Sequence, residues 1–389
     1  YFRIVFCFKT QILLTALISI ISLFSMGLYV LLLIYLRIGW AKVTTPLVIA
    51  QTFSTKVTVL IAARNEEEKI HLTIEDILAQ DYPKHLVEII IVDDHSTDNT
   101  AAIISSYAAR GVKLLQLKLG ETLNSYKKKA IAEAIKLSTG DLMVATDADC
   151  RMGNQWLRTI VGFFEQNNLV MISSPVTYFQ EQSVFERMQT LDFSSLIGMG
   201  GSFLGHGFAA TCNGANFAYR KDVFYEVGGF AGIDELASGD DEFLLHKVGE
   251  RYPGRIGFLK RREAIVYTHA KPNLKEFMQQ RRRWASKSTK YKNKKMVAFA
   301  LSIWLCNFML LLTAVLGLFD IYFLKLFLLT IGIKYAIDLL YMTPIMNFLK
   351  RRELLLYVSF VLPLNVLYFV LIGFLGKNKK YAWKGRMVK

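Results

Sequence analysis

Three uncharged stretches constrain this chain before any other feature does. Residues 12–36, 296–319 and 354–376 carry no Asp, Glu, Lys or Arg over about 25, 24 and 23 residues. Each exceeds the ~20 residues a helix needs to cross ~30 Å of hydrocarbon. The first is too long for a signal-peptide core and lacks a clear small-residue cleavage site, so it reads as an anchor. A fourth stretch, residues 321–349, is apolar but interrupted by Lys325, Lys334 and Asp338. It reads as a further span whose charged side chains face other helices, with an interfacial helix as the alternative.

Composition agrees with a membrane chain that also carries a polar domain. The 389 residues are 53% hydrophobic yet hold 47 Lys+Arg against 32 Asp+Glu, a formal charge of +15. A soluble nucleic-acid binder could be that basic but would seldom be that apolar. The cations also collect beside the spans, not along a groove of the polar segment, so no nucleic-acid partner is expected. Lys and Arg are retained on the cytoplasmic side of a membrane. With residues 37–295 cytosolic, three later crossings would put the basic tail, 377–389, outside. A fold-back at Pro363, or a stretch 321–349 that does not cross, would return the tail to the cytosol, which its charge favours. Cys7, Cys150, Cys212 and Cys306 lack any Cys-x-x-Cys spacing, which argues against a zinc site or a disulfide framework. The expected organisation is an anchor at 1–40, a polar domain at 41–295, a membrane region of two or three helices at 296–376 and a tail at 377–389.

Within the polar segment, strand and helix signals alternate. Val57–Ala63 is a near-continuous apolar run of the kind a buried parallel strand shows. Residues 66–80 have helical periodicity and open with acidic residues suited to a helix N-terminus. Strands at 88–94, 112–117 and 142–146 and helices at 100–109 and 127–137 follow. This alternation predicts an α/β domain built on a mostly parallel sheet with helices on both faces, whose ligand site lies beyond the carboxyl ends of the strands. Polar clusters fall at those ends: Asn65 and Glu66 after the first strand, Asp93 and Asp94 at the second, Asp147-Ala148-Asp149 at the fourth. Any one of them could merely cap a turn; three on one edge point to a site. Asp147 and Asp149 lie two apart in extended chain, so both carboxylates can face the same way. Such a pair suits Mg²⁺ or Mn²⁺ held jointly with a diphosphate.

Five segments together resemble a known family: Ala-Arg-Asn-Glu-Glu (63–67), Val-Asp-Asp-His-Ser-Thr-Asp (92–98), Asp-Ala-Asp (147–149), Gly-Asp-Asp-Glu (239–242) and Gln-Arg-Arg-Arg-Trp (280–284). Their order and spacing resemble the membrane-bound family 2 glycosyltransferases of GT-A fold, the branch of polysaccharide synthases and ceramide glucosyltransferase. The resemblance covers about residues 55–290. It implies a nucleoside pocket lined by Ala63, Glu66 and Asp94, with Asp94 reading a uracil-type base. Lys129 would contact the donor, although a solvated basic helix start would read the same way. Asp147 would bind ribose or the metal through water, and Asp149 would ligate the metal directly. Asp241 would be the catalytic base, taking the proton of an acceptor hydroxyl in an inverting single displacement; an ordinary acidic helix start is the bland alternative. Asp240, Asn213, Gly214 and Ala215 would lie near the donor sugar and acceptor. Gln280, Arg283 and Trp284, three and four apart on one helical face, would supply a diphosphate contact and a flat wall for a sugar. His269 could be a third metal ligand or a plain hydrogen-bonding residue. Residues 185–208 could guide the acceptor or simply be core.

The resemblance implies an integral membrane enzyme; with no disulfide framework, a bacterial inner membrane with the catalytic domain in the cytoplasm is expected, and an endomembrane is the alternative. The enzyme would move a sugar from a nucleotide-sugar, a UDP-sugar by family pattern, to a lipid or lipid-linked glycan among membrane lipids. A processive polysaccharide synthase is the alternative within enzymes, and an inactive membrane scaffold the alternative outside them. Neither a partner subunit nor an oligomeric state can be read from these residues.

Overall fold

The computed structural model describes residues 2–45, 52–117, 126–233, 239–286, 293–375, 381–383 and 386–388. They form two compact units: Gly39–Trp284 with Lys379–Lys389, and Tyr1–Ile38 with Ala285–Asn378. Residue 376 of the third uncharged stretch and tail residues 377–380, 384–385 and 389 lie outside the described residues.

The larger unit is built on a seven-stranded sheet in the order β3-β2-β1-β4-β8-β6-β9. Its first half is the parallel core that the apolar runs predict: β1 (Val57–Ala63), β2 (Val87–Asp93), β3 (Val112–Gln116) and β4 (Leu142–Asp147). Central β1 pairs in register with β2 on one side and β4 on the other, and Val57, Val59, Leu60 and Ile61 are fully buried. Helices α2 (Ile70–Leu78), α3 (Thr100–Ser106) and α4 (Tyr126–Leu137) connect these strands. α2 buries Ile70, Ile74 and Ile77, and α4 buries Ala130, Ile131, Ala134 and Ile135, each at helical spacing. Each large apolar side chain sealed this way contributes about 1.5–3 kcal/mol. α2 begins at Ile70, four residues later than the periodicity predicts. The Glu66 and Glu67 amides are drawn across to Thr100 Oγ1 (2.8 Å) and Asp98 Oδ2 (3.2 Å), so this stretch is a turn.

The second half consists of short strands that no periodicity marks. β5 (Arg151–Met152) and α5 (Trp156–Asn167) lead to β6 (Met171–Ser173) and β7 (Val176–Tyr178). Then come α6 (Val184–Gly205), β8 (Phe217–Arg220), α7 (Lys221–Glu226), α8 (Asp240–Arg251), β9 (Ile256–Phe258), β10 (Val266–Thr268) and α9 (Leu274–Ser286). β8 runs antiparallel between β4 and β6, and β5-β10-β7 forms a separate small sheet. Much of α6 is buried, including Leu191, Phe193, Ile197 and Phe203, so residues 185–208 are largely core. The last turn of α6 crosses residues 39–43 closely, because a β-carbon on Gly205 would lie 2.1 Å from Gly39 O. Lys260 closes this corner, donating to the Trp40 and Val43 carbonyls at 2.9 and 3.2 Å with its ammonium over the Trp40 ring.

The smaller unit is helical: most of α1 (Phe2–Lys42), α10 (Lys294–Leu316), α11 (Ile321–Leu349) and α12 (Val358–Leu375). Thr10–Lys42, Lys294–Leu316 and Arg352–Leu371 are long and apolar enough to cross a membrane. α10 and α11 are joined by a four-residue turn and form a hairpin. α11, 29 residues or roughly 44 Å long, carries two of its charged residues inward. Lys334 Nζ bonds Asp338 Oδ2 at 2.8 Å and Tyr29 Oη at 2.7 Å, while Tyr29 donates to Asp338 Oδ1 at 2.6 Å. Charge is thus neutralised within the helices, as apolar surroundings demand. α12 runs through Pro363, so the fold-back considered at that proline is not formed. A final pair of strands, β11 (Tyr381–Trp383) and β12 (Arg386–Val388), is antiparallel.

Candidate active site

The carboxyl ends of β1, β2 and β4 open on one edge of the sheet, and the loops that leave them are stitched together. Arg64, buried, donates from Nη1 to the carbonyls of Asp94 and His95, each at 2.7 Å. Asn65 Oδ1 accepts from Thr97 N at 2.9 Å, and Glu67 Oε2 accepts from Asn99 N at 3.0 Å. Asn65, Glu67 and Asp98 therefore hold loop to loop, the structural role that strand-end polar residues commonly have. Ala63 closes β1, buried, with its carbonyl accepting from Asp94 N at 2.9 Å. Glu66 stands half-buried at the start of the turn. Asp94 is 2% exposed, and its Oδ1 lies 3.0 Å from His95 Nδ1.

At the end of β4 the structure brings together residues that are far apart in sequence. Lys127, in the first turn of α4, places Nζ 2.8 Å from Asp147 Oδ1 and 3.5 Å from Asp240 Oδ2. Burial alone would lower its pKa, but Asp147, Asp240 and Asp241 raise it above the ordinary lysine value, so the ammonium stays charged. Lys129, the lysine favoured from sequence, is exposed. Successive residues turn about 100° on a helix, so Lys127 and Lys129 point about 200° apart. A run of three lysines gives no cue to which one enters the site; the start of α4 at Tyr126 supplies it.

Asp241 is fixed by backbone. Gly239, at φ +84°, caps α8, whose first turn carries Asp240, Asp241 and Glu242. Asp241 Oδ2 accepts from Gly214 N at 2.7 Å and Oδ1 from Glu242 N at 2.8 Å. A β-carbon on Gly214 would stand 3.3 Å from Asp241 Oδ2, so glycine permits this close approach. Asn213 Oδ1 accepts from Ala215 N at 2.9 Å, tightening the same turn. Its base is Asn216, fully buried, which accepts from Trp156 Nε1 at 3.0 Å and donates to the Pro175 and Ala264 carbonyls at 2.8 and 2.7 Å. Asn213, Gly214, Ala215, Asp240 and Asp241 thus form one wall, and Lys127 connects it to Asp147.

Asp149 and His269 mark a neighbouring corner. The His269 ring packs 4.7 Å from Phe179. Burial, then Lys69, lowers the His269 pKa, while Asp149 acts to raise it. The ring is thereby kept neutral, the form in which imidazole ligates a metal. Among the described residues no group of three or more His, Cys, Asp or Glu is placed to hold a metal unaided.

Gln280, Arg283 and Trp284 gather beside β7. Tyr178 Oη lies 3.5 Å from Gln280 Oε1, and Arg283 acts electrostatically on Tyr178. The residue that the spacing did not single out is Arg281, 2% exposed. Its guanidinium pairs with Asp192 of α6 at 2.6 Å and lies over the Phe277 and Trp284 rings at 4.8 and 4.4 Å. Trp284 also packs against Phe193, which stacks on Tyr178. Arg is seldom buried without a partner, and the partner here is 89 positions away in sequence.

Comparison with known proteins agrees with this architecture. Residues 58–228 match the model of "Glycosyl transferase family 2". A beta-monoglucosyldiacylglycerol synthase of Synechocystis is 32% identical over 109 residues, 28% of this chain and 23% of that protein. A poly-beta-1,6-N-acetyl-D-glucosamine synthase of Staphylococcus epidermidis is 28% identical over 172 residues, 43% of this chain and 40% of that protein. The chain therefore spans less than half the length of either relative. Among solved structures, a Pyrobaculum calidifontis mannosyltransferase in complex with GDP-Man and Mn²⁺ superimposes with a TM-score of 0.57 at 17% identity, over 90% of this chain and 99% of that one, a likeness of fold. With its sheet order and the match over β1 to β8, the sheet-bearing segment is similar to glycosyl transferase family 2, and the chain carries apolar helices long enough to cross a membrane.

Proposed function

We propose that this protein is an inverting glycosyltransferase that moves a sugar from a nucleotide-sugar, a UDP-sugar first, to a lipid or lipid-linked glycan at a membrane. One observation carries the reading: Asp147 and the Asp240-Asp241 pair, from two distant segments, converge on Lys127 at the carboxyl edge of a parallel sheet. Asp241 is the base. Both its oxygens are oriented by backbone N–H groups, so it stands ready beside the small-residue turn at 213–215. It takes the proton of the acceptor hydroxyl as that oxygen attacks the anomeric carbon. The bond from that carbon to the donor's phosphate oxygen breaks, and the nucleoside diphosphate leaves with the electron pair. Proton transfer of this kind typically contributes about 10²–10⁴-fold. Lys127 would steady the departing diphosphate; Lys129, exposed, would not.

A Mn²⁺ or Mg²⁺ would be held chiefly by phosphate oxygens of the donor with Asp149, beside Asp147 and His269, since the described side chains do not make a three-ligand site by themselves. When bound, the cation would supply charge neutralisation to the leaving group. Glu66 and Ala63 would line the nucleoside pocket. Gln280, Arg283 and Trp284 would border the donor sugar and acceptor, with Arg281 holding their helix.

The acceptor is argued from the membrane. Lys294 and Lys295 begin α10, and Lys350, Arg351 and Arg352 follow α11. The hairpin therefore has five cations at one end against Asp320 and Lys325 near its turn, an excess that favours a cytosolic basic end. A lipid acceptor fits this setting and the similarity to a glycolipid synthase. The similarity to a polysaccharide synthase favours a second reading, processive addition. Supplying membrane lipid extract and a radiolabelled donor decides between them: one added sugar supports the first, a polymer supports the second. No transfer by wild type, or transfer undiminished in Asp241→Asn, refutes the assignment of the base.

A further inference from the structure

Two arginines of α9 are sent to opposite sides of the helix. Successive residues turn about 100°, so Arg281 and Arg283 point about 200° apart. Arg283 is half-buried, whereas Arg281 is sealed in the interior. A buried guanidinium needs a counter-charge, and Asp192 of α6 supplies it at 2.6 Å. Arg281 Nε finds no hydrogen-bond acceptor among the described residues. Aromatic rings cover the group instead, with the Phe277 and Trp284 centroids 4.8 and 4.4 Å from its central carbon. Phe277 stands one turn before Arg281 and Trp284 one turn after, so the guanidinium lies between them along the helix.

The stack continues into α6 and β7. Phe185 meets Phe277 edge-on at 5.7 Å, Phe193 packs on Trp284 at 5.7 Å, and Tyr178 stacks on Phe193 at 4.5 Å. Phe185, Asp192 and Phe193 lie seven and eight positions apart, two helical turns, so one face of α6 supplies all three. Tyr178 Oη then reaches Gln280 Oε1 at 3.5 Å. Five rings thus run from Phe185 to Tyr178 with the Arg281 cation among them, held from α6 by Asp192. We propose that Arg281 and Asp192 are positioning residues for sugar transfer: the ion pair fixes the guanidinium, and the guanidinium fixes the plane of the Trp284 indole. This role rests on the glycosyltransferase reading above, in which Trp284 borders the donor sugar and acceptor. Arg281 is buried away from any substrate and acts through that ring. Only a flat cation serves: lysine keeps the charge but loses the planar contact, and methionine fills the space without holding one orientation.

The test compares wild type, Arg281→Lys and the neutral pair Asp192→Asn/Arg281→Met as detergent-purified full chains. Melting temperature, UDP binding and the rate of nucleoside diphosphate release with membrane lipid extract are measured on each. The neutral pair removes both charges together and should melt within a few degrees of wild type, since an uncharged replacement of a buried ion pair usually costs the fold little. Its kcat should nonetheless fall by about tenfold or more, as a displaced substrate wall predicts, and that of Arg281→Lys likewise. UDP affinity should change by less than about threefold in both, because Lys127, Asp147 and Asp240 are untouched. A folded neutral pair with wild-type kcat overturns the positioning role and leaves the glycosyltransferase reading standing. So does UDP affinity that falls in step with kcat, or a neutral pair that melts far below wild type, which makes the link one of folding alone. Wild type that releases no nucleoside diphosphate from UDP-, GDP- or dTDP-sugars overturns both.

Discussion

Replacing Lys127 by methionine keeps most of the side-chain volume and removes one ammonium from between Asp147 and Asp240. A charge-assisted hydrogen bond to a phosphate contributes about 1.5–3 kcal/mol, roughly 10- to 150-fold in donor affinity. The loss does not end there. Asp147 and Asp240 are left without the cation at 2.8 and 3.5 Å. An uncompensated carboxylate about 7 Å from a phosphate opposes it by about 2 kcal/mol at an effective dielectric of about 20. Donor KM should therefore rise by about 100-fold or more. Lys129→Met, on the exposed opposite side of the same helical turn, should change it by less than about twofold. The assay is the initial rate of nucleoside diphosphate release across donor concentrations for both variants and wild type. Loss in Lys129→Met with Lys127→Met intact would refute the assignment of the carboxylate cluster as the diphosphate site.

Two further outcomes follow from charges outside that site. Glu88 accepts from Thr58 Oγ1, Lys113 Nζ and Thr139 N, each at 2.7 Å. Burial pushes its pKa up, but these partners prevail and hold it down to about 2, below the ordinary 4.5. The resulting stability, on the order of 3 kcal/mol, is present above pH ~4.5 and is lost as pH falls towards 2. Wild-type melting temperature should thus drop more steeply than that of Glu88→Gln between pH 5 and 3; parallel curves would contradict this. In the helical unit, Lys334→Met leaves Asp338 charged among apolar helices and should destabilise by about 3–5 kcal/mol, read as a lower melting temperature in detergent. Adding Asp338→Leu should recover most of the loss, and an unaltered single variant would show that the buried pair is not formed.

The parallel half of the sheet was readable because strands buried on both faces are near-continuously apolar, as Val57–Ala63 and residues 89–92 are. The positions of Asp94 and Asp147 at strand ends and of Asp241 at a helix start were readable from the apolar runs that precede or follow them; the roles given to them are proposals. β5 to β10 were not, since two- to four-residue strands carry too few alternations to reveal a period. Lys127 was missed because three adjacent lysines look alike until the phase of α4 is known. Arg281 was missed because its counter-charge, Asp192, comes from α6 and is brought to α9 only by the fold, although Phe277 and Trp284 lie four and three positions away on its own helix.

The most direct test of the central claim is release of nucleoside diphosphate by the detergent-purified chain, screened over UDP-, GDP- and dTDP-sugars with Mn²⁺ or Mg²⁺ and membrane lipid extract. The account predicts release that depends on the divalent cation, is selective for donor, and is lost in Asp241→Asn while nucleotide binding persists. Release that Asp241→Asn retains in full, or no release from any of these donors by wild type, would contradict it.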